Sequence, residues 1–145
     1  MIIRLNEKNI HACVELASKL WPDAEKHELL DLYEKTISSD LADCFLYVNA
    51  NGAYTGFIQL AIRNDYVEGS ETSPVAYVEG IYVEVCDRRR GIARELLLHG
   101  EAWGREHGLT ELASDCELDN QLSIDFHKGY GFEEANRLVC FIKKI

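Results

Sequence analysis

The feature that most constrains the fold is a strand-like run that leads through a glycine-containing turn into a helix. Residues 75–85, VAYVEGIYVEV, are rich in β-branched and aromatic side chains and predict a central strand. The segment RRRGIA (88–93) follows, and apolar spacing predicts a helix from about Gly91 to His107. The start of a helix exposes unpaired N–H groups and the positive end of the helix dipole. This order of elements therefore predicts a cradle for a phosphate group.

The other segments predict a mixed α/β protein with one domain over residues 1–145. Asn51-Gly52 lies between two strand-like runs and is a strong hairpin signal. Gly80, inside the central strand, predicts a bulge or the close approach of a ligand. The predicted elements are strand 2–5, a helix capped by Asn6 or Asn9, a helix capped by Asp23, strands 44–50, 53–63 and 75–85, helix 91–107, strand 110–114, helix 119–128, a turn at Gly129 and Gly131, and a final strand 137–145.

Composition restricts the partners and the location of the chain. Its net charge of −10 disfavours nucleic acid and anionic membranes and favours a cationic substrate. The five cysteines show no CxxC pair, which predicts reduced thiols and no metal site. No apolar run reaches the ~18 residues of a membrane span, and the N-terminus lacks the pattern of a signal peptide. We expect a cytoplasmic protein.

Two signatures resemble the GNAT N-acetyltransferase superfamily. RRRGIA matches the RxxGxA loop, and the run from Asn120 to Phe132, NQLSIDFHKGYGF, matches the later helix and turn. The resemblance implies a mixed, mostly antiparallel sheet flanked by helices, with acetyl-CoA as co-substrate and no metal. It places His127 where many members carry tyrosine, near the departing thiolate, to which a histidine can donate a proton. The residues implied in cofactor binding are Ile81, Tyr82, Val83, Arg88, Arg89, Arg90, Gly91, Ile92, Ala93 and Asn120.

Three further segments resemble the aminoglycoside 6'-N-acetyltransferases: KLWP (19–22), residues 62–83 and ASDCELDN (113–120). The resemblance places Trp21, Tyr66, Glu79 and Asp115 in the antibiotic pocket and implies a homodimer. A polycationic amino sugar requires carboxylates for its ammonium groups and an aromatic face for its ring, which these side chains supply. Asn136 stands where relatives are expected to carry a carboxylate, and Glu133 and Glu134 lie close by.

The candidate catalytic residues are Glu79, Asp115, Tyr66 and His127, for direct attack of an amine on the thioester in a ternary complex. Each has a structural alternative: an ion pair or a strand-end carboxylate for Glu79, a helix cap or a loop position for Asp115, surface packing for Tyr66 and a helix end for His127. Two other functions stay open. The acceptor can be a polyamine or a protein lysine, or the chain can be a non-catalytic sensor of acyl-CoA.

Overall fold

In the computed structural model, which describes residues 1–145, a five-stranded sheet lies between two pairs of helices. The elements are β1 (Ile2–Arg4), α1 (Ile10–Leu20), α2 (Lys26–Ile37), β2 (Ala42–Val48), β3 (Tyr54–Arg63), β4 (Val75–Val83), a 3₁₀ turn (Val85–Asp87), α3 (Ile92–Glu106), β5 (Leu112–Ser114) and α4 (Gln121–Tyr130). None of the helices combines the length and the apolar character needed to cross a membrane.

The strands lie in chain order across the sheet. β1 to β4 pair antiparallel, and only β5 is parallel to its neighbour β4. The predicted hairpin is confirmed: β2 and β3 flank Asn51-Gly52, and Gly52 has a φ of +80°. The predicted mixed, mostly antiparallel sheet flanked by helices is therefore also confirmed.

The two faces of the sheet form two separate hydrophobic cores, because neighbouring side chains of a strand point to opposite sides. In β2, Cys44 and Leu46 pack with α1 and α2, whereas Phe45 packs with α3. In β3, Phe57 joins the first core and Ile58 the second. α4 covers the second core through Phe126 and Tyr130.

A β-bulge interrupts β4 at Glu79. Gln59 of β3 pairs with Gly80 and Leu60 pairs with Val78, so Glu79 has no partner in the ladder. The extra residue reverses the alternation: Val78 before the bulge and Val83 after it belong to the same core. The bulge expected at Gly80 is thus confirmed. The group that approaches this glycine is the Trp21 ring, which would lie 2.5 Å from an added Cβ atom.

Two helix boundaries differ from the prediction. α2 begins at Lys26 with Glu25 as its N-cap, not Asp23. The Ala24 N–H donates to the Trp21 carbonyl (3.1 Å), so residues 22–24 form a turn and the helix starts after it. α4 is capped by Asn120 and includes Gly129, where the sequence predicts a turn; Gly131, with a φ of +123°, ends this helix.

The predicted final strand, residues 137–145, is wrong for the single chain. These residues form no helix or strand and are exposed along their length. Val139, Phe141 and Ile142 are 73%, 92% and 98% exposed. A strand forms only where a neighbouring strand supplies hydrogen-bond partners, and the single chain places none beside this segment.

Candidate active site

A gap opens in the sheet where β4 and β5 part. The two strands pair only between Ala76–Val78 and Leu112–Ser114, after which β5 ends and β4 continues to Val83. The β4 edge from Glu79 to Val83 therefore has no strand beside it. A cleft of about 1440 Å³ lies at this place and reaches from the Trp21 side chain to α4.

The open edge of β4 presents N–H groups to the gap. The Glu84 N–H donates to the Thr55 carbonyl of the β3 side (2.8 Å). Because N–H directions alternate along a strand, the N–H of Tyr82 also faces β3, whereas those of Ile81 and Val83 face the gap. Of the three residues predicted to line the cofactor arm, Ile81 and Val83 therefore direct donors into the gap, whereas the backbone N–H and carbonyl of Tyr82 are directed toward β3.

The loop RRRGIA stands at the far end of the same edge and leads into α3. Gly91 is the N-cap of α3 with a φ of +83°, and no side chain caps this helix. The N–H groups of Gly91, Ile92 and Ala93 have no acceptor within the chain. Free N–H groups at a helix N-terminus are the arrangement that an anion-binding site requires, which is what the sequence predicts for this loop.

The three arginines of the loop differ in their contacts. The Arg88 Nε donates to the Val83 carbonyl (2.9 Å), which ties the loop to the end of β4. Arg90 pairs with the buried carboxylate of Asp87 at 2.9 Å. Arg89, with a φ of +62°, is exposed and makes no ion pair. Asn120, also expected to bind the cofactor, caps α4 by accepting from the Ser123 N–H at 3.1 Å and lines the cleft.

Acidic side chains gather at the other end of the gap. Both oxygens of Glu79 accept from Arg63, at 2.8 and 2.7 Å, and the Arg63 guanidinium lies 3.5 Å from the centre of the Tyr77 ring. Burial, together with the neighbouring Asp115 carboxylate, raises the pKa of the Tyr77 hydroxyl. The hydrogen bonds that Arg63 donates to Glu79 raise the pKa of Arg63. Glu79 and Asp115 thus lie in one cluster with Tyr77 and Arg63.

The two aromatic residues expected in the pocket have different surroundings. Trp21 packs against the Phe57 ring (6.1 Å between centroids) and lines the cleft with its exposed part. Tyr66 is 81% exposed in the loop after β3. Its hydroxyl donates to Glu68 at 2.6 Å, and this hydrogen bond raises the pKa of Tyr66 and lowers that of Glu68.

The segment after α4 returns to the same loop. Asn136 donates to the other oxygen of Glu68 at 3.0 Å. Glu134 is held by Arg137 and Lys128, and these hydrogen bonds lower its pKa to about 2. Glu68 therefore supplies a carboxylate beside Asn136, the position at which the resemblance implies one. Glu134 is already neutralised by two cations.

His127 lies at the opposite side of the gap from this acidic cluster. Its Nδ1 is 2.7 Å from the Ser123 carbonyl oxygen, and its Nε2 is 2.8 Å from the Ser114 hydroxyl. Ser114 is the last residue of β5 and pairs with Val78 at the point where the strands part. Both ring nitrogens of His127 therefore have partners within the chain.

The cleft residues that the sequence does not single out include Arg63, Glu68 and Ser114. Glu68 had a signal, since it follows Tyr66 by two positions in the same polar loop. The other two depend on partners brought together by the fold. No group of three or more histidine, cysteine or acidic side chains is arranged to hold a metal ion.

Comparison with protein families gives a match over residues 10–132 to the acetyltransferase (GNAT) family. The chain is 36% identical over 140 residues to an aminoglycoside N(6')-acetyltransferase type 1 of Acinetobacter haemolyticus, covering 97% of this chain and 95% of the relative. It is 34% identical over 145 residues to the protein of that name from Serratia marcescens, covering 100% and 99%.

Solved structures give the same picture. The fold matches that of AAC(6')-Iy in complex with the bisubstrate analogue CoA-S-monomethyl-acetylneamine, with a TM-score of 0.95, 33% identity and coverage of 100% of this chain and 98% of the other. It also matches AAC(6')-Ih from Acinetobacter baumannii, with a TM-score of 0.93, 36% identity and coverage of 100% and 98%.

Proposed function

This chain belongs to the acetyltransferase (GNAT) family, and we propose that it transfers the acetyl group of acetyl-CoA to the 6'-amine of aminoglycoside antibiotics. An enzyme of this kind confers resistance, since the acetylated amine is no longer an ammonium group. The activity is that of the relatives named above, which span the length of the chain. One catalytic domain over residues 1–145 is part of this proposal.

One observation supports the proposal most directly: the open edge of β4 runs from a cluster of carboxylates beside the cleft to the free N–H groups at the start of α3. RRRGIA lies at the end of the open β4 edge, and Glu79 and Asp115 lie at its beginning. A thioester held along this edge has its pyrophosphate at the loop and its acyl group beside the carboxylates. A polycationic acceptor is attracted to that end by the carboxylates and by the net charge of −10.

Acetyl transfer proceeds by direct attack in a ternary complex. The N–H groups of Ile81 and Val83 donate to the thioester carbonyl and the pantetheine arm; Ile81 lies nearer to the reacting end, and Val83 nearer to the loop. A donor aimed at the developing oxyanion contributes ~3–4 kcal/mol in comparable sites. Asp115, with Glu79 and Tyr66, orients the acceptor, and Trp21 offers an aromatic face to its ring.

The test is an acetylation assay with purified protein and acetyl-CoA, read by thiol release and by product mass. The acceptors are neamine, its 6'-hydroxy analogue paromamine, spermidine and a lysine peptide. We expect acetylation of neamine, and slower turnover by at least about 100-fold with paromamine, because only the 6' group differs. Equal rates with neamine and paromamine would place the reaction at another amine.

The alternative acceptors are outcomes of the same assay. Product from spermidine or the lysine peptide but none from neamine would replace the proposed substrate class. Binding of acetyl-CoA without any acetylated product would indicate a sensor. Measurement of acetyl-CoA affinity by calorimetry therefore accompanies the assay.

A homodimer is part of the proposal. The C-terminal segment, residues 137–145, is rich in apolar and β-branched side chains, all exposed in the single chain. β5 has β4 on one side and no strand on the other. The C-terminal segment can form a strand but has no partner, and the β5 edge has no neighbour. These two features complement each other, which supports pairing between two copies of this chain.

A cytoplasmic location is proposed on chemical grounds. Acetyl-CoA is a cytoplasmic metabolite, and all five cysteines are free thiols. Free thiols are typical of a reducing compartment.

A further inference from the structure

We propose that Ser114 is a catalytic residue that passes a proton from His127 to the departing sulfur of CoA. This inference rests on the acetyl transfer proposed above and adds a residue to it. Ser114 occupies the last pairing position before β4 and β5 part, and its side chain lines the cleft. It is therefore placed where the thioester must lie if its CoA follows the open β4 edge.

The side chains of Ser114 and Asp115 point to opposite faces of the gap. Successive side chains of a strand point to opposite sides. Ser114 contacts His127 of α4, whereas Asp115 lies beside Tyr77, whose side chain belongs to the cluster with Val67 and Val75. An amine held by Asp115 and a sulfur held near Ser114 have the thioester carbon between them.

The hydrogen bonds of His127 determine which of its ring nitrogens carries the hydrogen in the neutral form. The Ser123 carbonyl can only accept, so the Nδ1 atom 2.7 Å away carries a hydrogen. In the neutral ring Nε2 then holds a lone pair and accepts from the Ser114 hydroxyl at 2.8 Å. A second proton can enter the ring only at Nε2, between His127 and Ser114.

Protonation of His127 therefore reverses this hydrogen bond. The Nε2–H of the imidazolium donates to the Ser114 oxygen, and the hydroxyl hydrogen of Ser114 is free to point into the cleft. The ring itself stays in place, because Phe126 and Phe132 pack edge-on at 5.7 and 5.2 Å between centroids. No carboxylate or basic side chain hydrogen-bonds to the ring; its polar contacts are Ser114 and Ser123. His127 thus reaches the cleft through Ser114.

The step balances in protons and electrons. The amine nitrogen forms a bond to the thioester carbon, and the carbon–sulfur bond breaks with its electron pair on sulfur. The Ser114 hydroxyl gives its proton to sulfur and takes the Nε2 proton of His127, so that CoA leaves as a thiol and His127 becomes neutral. The proton lost by the amine passes to solvent, and solvent restores the imidazolium.

Three variants test the relay: Ser114→Ala, Ser114→Thr and His127→Gln. Ser114→Ala removes the hydroxyl, Ser114→Thr retains it, and His127→Gln retains hydrogen bonding but cannot take up a proton. With neamine and acetyl-CoA, we expect Ser114→Ala and His127→Gln each to lower kcat by about 10²- to 10⁴-fold, the usual contribution of a positioned proton donor. Ser114→Thr should stay within about tenfold of the unsubstituted enzyme.

Two readouts separate the relay from a structural role. Members of one relay are not additive, so the double variant Ser114→Ala/His127→Gln should be no slower than the slower single variant. The solvent deuterium isotope effect on kcat should fall towards unity in Ser114→Ala. Affinity for CoA, measured by calorimetry, should be unchanged in all variants, which also shows that they are folded.

The outcomes distinguish this inference from the proposed function. Neamine acetylation with a kcat of Ser114→Ala within about threefold of the original would overturn the relay and leave the function intact. If another amine proves to be the acceptor, the same variants are measured with that amine, and the expected losses are the same. Multiplicative losses in the double variant also overturn the relay.

Discussion

At the scale of single residues, the two carboxylates of the cleft differ in what their neighbours leave available. Glu79 has both oxygens engaged by Arg63, so its charge is largely compensated before any substrate arrives. Asp115 is exposed and makes no ion pair. A carboxylate beside an ammonium group raises the pKa of that ammonium and so opposes its deprotonation. We therefore expect Asp115 to bind the acceptor and Glu79 to shape the pocket, with neither as a strong base.

Asp115→Asn should weaken capture of the acceptor and leave the cofactor site unchanged. Losing a hydrogen bond between charged groups, ~1.5–3 kcal/mol, corresponds to an increase in KM for neamine of about 10- to 100-fold. Asp31→Asn is the matched control, because Asp31 is an exposed carboxylate of α2 outside the cleft and its loss changes the net charge equally. Equal loss of neamine and acetyl-CoA affinity, measured by calorimetry, would contradict the assignment.

How well the sequence predicts a part of this site depends on how far apart the interacting residues are along the chain. RRRGIA and Asn51-Gly52 carry their information in adjacent positions, and the structure has the expected helix start and hairpin there. The pairing of Arg63 with Glu79 depends on the register between β3 and β4, and that of Ser114 with His127 on how α4 packs. Such contacts cannot be derived from the local sequence pattern, so the sequence did not identify Arg63 or Ser114.

At the scale of secondary-structure elements, α3 carries a glycine in a left-handed conformation at each end. Gly91 precedes its first turn with a φ of +83°, and Gly108 follows its last with a φ of +73°. A Cβ atom added at either position would meet no atom within 4 Å. The two sites therefore share the same backbone cost for a side chain, of about 1–2 kcal/mol. Only Gly91 lies at the proposed pyrophosphate site.

Gly91→Ala and Gly108→Ala form a matched pair for testing that site. Both should lower the melting temperature by a similar amount. Only Gly91→Ala should raise the KM for acetyl-CoA, by about tenfold or ~1.4 kcal/mol, because its methyl group occupies space next to the free N–H groups. With acetylpantetheine, which lacks the pyrophosphate, the two variants should have the same kcat/KM. A loss with acetylpantetheine that is specific to Gly91→Ala would mean that the loop acts in another way.

At the scale of the whole molecule, the C-terminal segment is the part that has no pairing partner within one chain. The sequence predicts a strand there from side-chain type, and the single chain has none because pairing needs a second backbone. The side-chain types of residues 137–145 predict that the segment can form a strand, but they do not identify the strand with which it pairs. The homodimer proposal supplies that neighbour.

Replacing Phe141 and Ile142 together with glutamate should yield monomers. The wild-type chain should show twice its monomer mass in sedimentation equilibrium, since burying two large apolar side chains from each copy stabilises the pair. The control replaces Leu41 and Leu98, two exposed leucines outside this segment, with glutamate and should remain dimeric. A monomeric wild-type chain would contradict the proposal.

The separation of β4 from β5 also affects how well the protein resists aggregation at high concentration. An unpaired strand edge invites edges of other molecules and is a common start of aggregation. Here the first part of the open edge, Glu79 to Ile81, lines a cleft, and the Arg88 side chain already covers the Val83 carbonyl at the other end. A thioester held along the remaining donors would complete the cover. We therefore expect the supply of acetyl-CoA to govern colloidal solubility, with starved cells the least tolerant of overproduction.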